Sequence, residues 1–171
     1  MVTEVVGSDV YTVVGVDAPV VVPEATRTET LAPSSGLRVV SLHVDGSATP
    51  NPGAVVVSWA TGPGRVTTKS LHGTHSNNYA EIAAVGCGLA RLHNSLLGWK
   101  KNPTNYHVRL YSDSQTVRAW MNGSIPGEEV QERQAIIQMI ARLNVRLMRA
   151  FGKVTILPVG RDRNWAHPNG K

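Results

Sequence analysis

Apolar and polar residues alternate through 38–45, with Val40, Leu42 and Val44 on one face and Ser41, His43 and Asp45 on the other. A period of two predicts a half-buried strand. Two further strand candidates follow at 54–61 and 65–71, divided by Thr61-Gly62-Pro63-Gly64 as a turn. The period then changes. Over 79–96, Ile82, Val85, Leu89, Leu92 and Leu96 recur at helical spacing. His107–Tyr111 reads as a fourth strand and Ser114–Asn122 as a short helix. Glu128–Ala150 reads as the longest helix, with a stripe of Ile136, Ile140, Leu143 and Leu147, and Lys153–Val159 as a fifth strand. Three meandering strands followed by alternating helices and strands predict an α/β fold. Its sheet is mixed and five-stranded, three antiparallel strands then two parallel, flanked by helices.

Residues 1–37 do not share this pattern. They are Val-rich but broken by Pro19, Pro23 and Pro33, and they read as an extended acidic arm and linker with a strand near Val10–Val16. The domain proper is expected to be 38–171. The net charge of +5 divides unevenly between the two parts. The arm holds Glu4, Asp9, Asp17, Glu24 and Glu29 against Arg27, so the excess positive charge belongs to the domain. A surface of that sign attracts phosphate backbones, which makes nucleic acid the leading partner class and leaves the arm to a protein partner. The apolar runs are too short to cross a membrane. A single cysteine, Cys87, leaves no internal disulfide and no thiolate cluster for zinc, and reads as a small packing residue. Neither a secretory leader nor an Arg-rich transit peptide is evident, so the expected setting is intracellular, cytoplasmic or nuclear rather than organellar.

Few acids remain in the basic domain, and three stand at junctions between elements. Singly, each has a structural explanation. Asp45-Gly46 could be a turn ending a strand, Glu81 a capping-box partner of Asn78, and Asp113 a helix cap. Together they suggest more. If the first and fourth strands are parallel neighbours, Asp45 and Asp113 project at one sheet edge, where ligands bind in such folds. The opening of the first long helix could bring Glu81 to the same place. Three converging carboxylates repel one another unless a cation offsets them, and an all-oxygen set suits Mg²⁺ or Mn²⁺. Two such ions can activate a water and stabilise the leaving oxygen of a phosphodiester.

These residues lie in runs that resemble a known family. Val44-Asp45-Gly46-Ser47-Ala48-Thr49-Pro50-Asn51-Pro52-Gly53 is similar to the opening motif of type 1 ribonuclease H. Asn77-Asn78-Tyr79-Ala80-Glu81 resembles its second motif and Ser112-Asp113-Ser114-Gln115 its third. The resemblance covers 38–171 and implies a ribonuclease H-like fold. It also implies hydrolysis of the RNA strand of RNA–DNA hybrids with two Mg²⁺ or Mn²⁺ ions. Asp45, Glu81 and Asp113 would be metal ligands and catalytic residues. Asn51, Asn78 and Gln115 would touch RNA, 2′-hydroxyls included.

The resemblance fails at the end of the chain. Family members carry a fourth carboxylate on a last helix, whereas here His167-Pro168-Asn169-Gly170-Lys171 matches only the run just before it. Three explanations compete: a sequence cut short there, Asp162 in the role, or a degenerate site. Flanked by Arg161 and Arg163, Asp162 reads more simply as a member of a local ion pair, and His167 as a surface histidine. A non-catalytic subunit binding RNA or protein in a larger assembly is thus the alternative to an enzyme. A resolvase or transposase of the same fold fits the Asn-Pro-Gly and paired-Asn motifs less well. Arg142, Arg146 and Arg149 form either a phosphate-binding face or a complement to the helix dipole. Trp99-Lys100-Lys101 reads as a stacking contact or a helix end. Trp59 and Trp120 are expected in the core, and His43 there or beside the site.

Overall fold

The structure is a computed structural model that describes residues 2–6, 9–13, 36–121 and 131–168. Two short strands, β1 (Val2–Val6) and β2 (Asp9–Val13), pair antiparallel in a sheet of their own. The arm therefore begins with a hairpin where a single strand was expected. The expected linker, 14–35, lies outside the described residues.

The main sheet contains β3 (Arg38–Thr49), β4 (Gly53–Ala60), β5 (Val66–His75), β6 (Tyr106–Ser112) and β7 (Lys153–Pro158). Its order is β5-β4-β3-β6-β7, with β3–β4 and β4–β5 antiparallel and β3–β6 and β6–β7 parallel. That is the mixed sheet the alternation predicted. Helix α1 (Asn77–Gly98) lies across β3 and β4. Helices α2 (Gln115–Met121) and α3 (Gln131–Met148) pack against α1 in turn. Leu42, Val44, Val55 and Val57 of the sheet and Ile82, Val85 and Leu89 of α1 are fully buried between the layers. Cys87 and Trp120 are buried with them and Trp59 is partly so, as expected. None of the described helices is long and apolar enough to cross a membrane.

Several expected boundaries move, and three of the moves bear on the acids. β3 runs through Asp45 to Thr49, because Gly46–Thr49 pair antiparallel with Ala54–Val57, so Asp45-Gly46 is not a turn. α1 starts at Asn77, with the Ser76 hydroxyl accepting from the Tyr79 amide at 3.2 Å. Ser76 is therefore the cap, which leaves Glu81 too far along the helix for a capping box with Asn78. At α2 the Ser114 hydroxyl accepts from the Val117 amide, so Asp113 is not needed as a cap. Further on, the buried stripe of α3 is Ile137, Ile140, Leu143 and Asn144, while Ile136 is exposed. Residues 122–130, including Glu128 and Glu129, lie outside the described residues.

Gly46 explains how closely α1 approaches the sheet. A Cβ at that position would collide with the Ala80 carbonyl and the Glu81 amide, both backbone. Only glycine admits the second turn of α1 against β3 here. Gly46→Ala is accordingly expected to cost about 2–3 kcal/mol, the upper part of the range for overpacking, since backbone cannot swing aside. Urea unfolding measures it. A midpoint unchanged within error would mean that α1 and β3 are not in this contact.

Candidate metal centre

The parallel register of β3 and β6 places the two aspartates. His43 pairs with Tyr111 in the last rung of that ladder. Continuing two residues along each strand sets Asp45 beside Asp113, on the same face by strand alternation. Glu81, held over Gly46, reaches the same point from α1. One carboxylate oxygen from each of the three lies within 4.8 Å of the others, and all three residues are half-buried. The convergence expected from sequence is present in the structure.

Such a cluster is electrostatically costly. Burial, followed by the neighbouring charges of Asp45 and Asp113, pushes the Glu81 carboxyl from 4.5 up to about 8. Burial and the Asp113 charge raise Asp45 as well. Arg161 and the Gly46 amide oppose both shifts, and His167 opposes that of Asp45. Glu81 Oε2 is buried without a hydrogen-bond partner. A buried carboxylate oxygen lacking a donor, facing two more carboxylates, fits a hard divalent cation. Asp45, Glu81 and Asp113 are the residues that could hold one.

The turn after β7 closes one side of the cluster. Asn164, fully buried, donates through Nδ2 to the Val44 carbonyl at 2.9 Å and to Asp113 Oδ1 at 3.1 Å. Arg161 Nε donates to Asp113 Oδ2 at 3.4 Å from a side chain that is 77% exposed. Neither residue was singled out as a partner of the acids from sequence. Their signal would have been a basic and amide-rich turn directly after the last strand. His43, buried at 4% exposure, stacks between Tyr111 and Trp165 at 4.6 and 4.0 Å, and its Nδ1 accepts from the Trp165 amide. Burial lowers its pKa, the Asn164 side chain opposing, which keeps the ring neutral for that bond. It is both a satisfied core histidine and a neighbour of the site.

The remaining candidates fall as follows. Asp162 is exposed and 4.0 Å from Arg163 in the turn 161–163, outside the acid cluster, so it is the local ion pair and not a fourth member. Asn51 Oδ1 accepts from the Asn77 amide, which brings the β3–β4 connection to the start of α1. Asn77 in turn accepts from the Ala48 amide at 2.7 Å. Asn78 is half-buried in the first turn of α1, and Gln115 is exposed at the head of α2. Trp99 is 64% exposed, with Lys101 Nζ 5.4 Å from its ring centre.

Sheet order, helix placement and acid cluster together define the ribonuclease H fold. No protein-family model and no curated protein matches the sequence. Among solved structures, the chain is similar to ribonuclease H1 from the halophilic archaeon Halobacterium salinarum NRC-1, with a TM-score of 0.59 and 21% identity over 76% of this chain and 92% of that one. It is similar to the N-terminal RNase H domain of a Mycobacterium tuberculosis protein, with a TM-score of 0.57 and 18% identity over 75% and 93%. It also matches LC11-RNase H1, isolated from compost by a metagenomic approach and solved in complex with an RNA/DNA hybrid. There the TM-score is 0.55, with 20% identity over 73% and 88%.

The raised Glu81 pKa has a testable consequence. Folding takes up a proton there, so its contribution to stability is complete below pH 4.5 and is lost as pH rises through about 8. His43, shifted down, gives the opposite slope below neutrality. In EDTA-treated protein the denaturation midpoint should therefore fall from pH 7 to 9, and Glu81→Gln should remove much of the fall. After discounting for solvent screening, the difference at pH 9 is about 2 kcal/mol. Parallel curves for the two proteins would show that the carboxylates do not interact as placed.

Proposed function

We propose that this chain is a metal-dependent endonuclease that hydrolyses the RNA strand of RNA–DNA hybrids. The observation that carries the reading is the meeting of Asp45, Glu81 and Asp113 within 4.8 Å on a ribonuclease H fold. A neighbour of that fold, LC11-RNase H1, has been seen with an RNA/DNA hybrid. The sequence pI of about 9.7 suits a polyanionic partner.

In this reading the three carboxylates hold Mg²⁺ or Mn²⁺. A bound pair of such ions supplies an activated water and stabilises the leaving oxygen of the phosphodiester. The chain's own residues do the rest. Gly46 and α1 hold Glu81 against Asp45, and the turn after β7 holds Asp113. Asn51, Asn78 and Gln115 carry amides that can both donate and accept, as recognition of a 2′-hydroxyl requires.

A second reading is a ribonuclease H-fold subunit that binds RNA without cutting it. The Arg161–Asp113 ion pair favours it, since a cation from the protein itself already partners one of the acids.

Labelled RNA–DNA hybrid, duplex DNA and duplex RNA, each with Mg²⁺ or Mn²⁺, separate the readings. The expected result is cleavage of hybrid RNA alone, reduced at least ~100-fold by Asp45→Asn. Binding of hybrid without cleavage in either metal would replace the first reading by the second.

A further inference from the structure

We infer that Asn164 is a positioning residue that sets the orientation of Asp113 relative to Asp45, and through it the affinity of the acid cluster for a divalent cation. The inference rests on the metal-dependent reading above and deepens it.

Asn164 is fully buried, and its amide bonds to Ala166, Asp113 and the Val44 carbonyl and also meets the His43 ring. Its Oδ1 accepts from the Ala166 amide at 3.1 Å, which fixes which side of the group is oxygen. Nδ2 must then face the other two partners, Asp113 Oδ1 and the Val44 carbonyl. Val44 is the first residue of β3 beyond the β3–β6 ladder, and it directly precedes Asp45. The amide thus stands where a further rung would have been, tying the backbone beside Asp45 to the side chain of Asp113. Both N–H groups are committed, so the carboxylate of Asp113 is not free to rotate. Its other oxygen, Oδ2, accepts from Arg161 Nε.

A donor fixed in this way orders a carboxylate before a cation arrives. Removing such an outer partner typically weakens metal binding 10–100-fold. A merely structural amide would not have that effect. The fold supplies a matched control in Asn144, 1% exposed, which donates to the Ile82 carbonyl at 2.8 Å and is no member of the acid cluster.

Mn²⁺ binding by electron paramagnetic resonance on folded protein, with circular dichroism alongside, tests the inference. Asn164→Ala and Asn164→Ser should bind Mn²⁺ about 10–100-fold more weakly than the unaltered chain, the serine variant less affected because it keeps one donor. Asn144→Ala should lose stability yet keep its Mn²⁺ affinity. In the unaltered protein, the Asn164 side-chain NH₂ resonances should shift on titration with Mg²⁺, a readout that needs no variant to fold. Unchanged Mn²⁺ affinity in a folded Asn164 variant, or resonances indifferent to Mg²⁺, would overturn the inference while leaving the nuclease reading intact. Absence of Mn²⁺ binding by the unaltered chain would remove both.

Discussion

Mutual repulsion of three half-buried carboxylates is the constraint around which the rest of the structure is arranged. Asp45, Glu81 and Asp113 come within 4.8 Å of one another, and burial first, then the charges of the two aspartates, pushes the Glu81 pKa up to about 8. Hydrophobic burial between sheet and helices provides the free energy of folding, but it does not require this meeting. The acids are held together because their backbones are fixed by other means: Asp45 by its pairing with β4, Asp113 by the end of β6, and Glu81 by a glycine contact.

That glycine links packing to chemistry. Helices pack on sheets through side chains, and their backbones stay well apart unless a small residue intervenes. At Gly46 the α1 backbone meets that of β3 directly. At Gly88, about two turns further along the same helix, a Cβ would meet side-chain atoms of Val44, Leu42 and Trp59 at 3.0–3.4 Å, and no backbone. The helix is therefore nearest the sheet at its acidic end, and it is there that Glu81 acts. The residue just before Asp45, Val44, contributes its side chain to the core and its carbonyl to Asn164.

Most of this fold was legible in the sequence, because period-two and helical spacing report burial directly. The alternation of Val40, Leu42 and Val44 gave the core face of β3, and Ile82, Val85 and Leu89 that of α1. The ends of elements were less legible, for a physical reason. Whether Gly46 turns or continues depends on whether residues 54–57 lie beside it, which is a long-range fact. Ser76 and Asn78 are both cap-type residues, and the Ser76 hydroxyl taking the Tyr79 amide identifies the one that caps. Ile136 and Ile137 are adjacent, and helix rotation chooses one. The convergence of the three acids was readable from two parallel strands for Asp45 and Asp113 and from the opening of the first long helix for Glu81. Arg161 and Asn164 were not, since a turn has no period and its side chains are assigned only by what they touch.

The two residues on Asp113 are not equivalent, and the difference follows from burial. Arg161 reaches Oδ2 from solvent at 3.4 Å, and exposed ion pairs of that kind are worth roughly 0–1 kcal/mol. Asn164 reaches Oδ1 from the interior, where losing a buried partner costs about 1–3 kcal/mol for each group left unsatisfied. One oxygen of Asp113 is thus held firmly and the other loosely. A carboxylate in that condition keeps its direction while one of its oxygens can exchange its partner. The same asymmetry is absent at Glu81, whose Oε2 has no donor to give up. The cluster therefore combines one acid with a displaceable partner, Asp113, and two raised in pKa, Asp45 and Glu81, of which Glu81 also has a spare oxygen. This is the electrostatic profile of a site that is least stable when left to the protein's own charges.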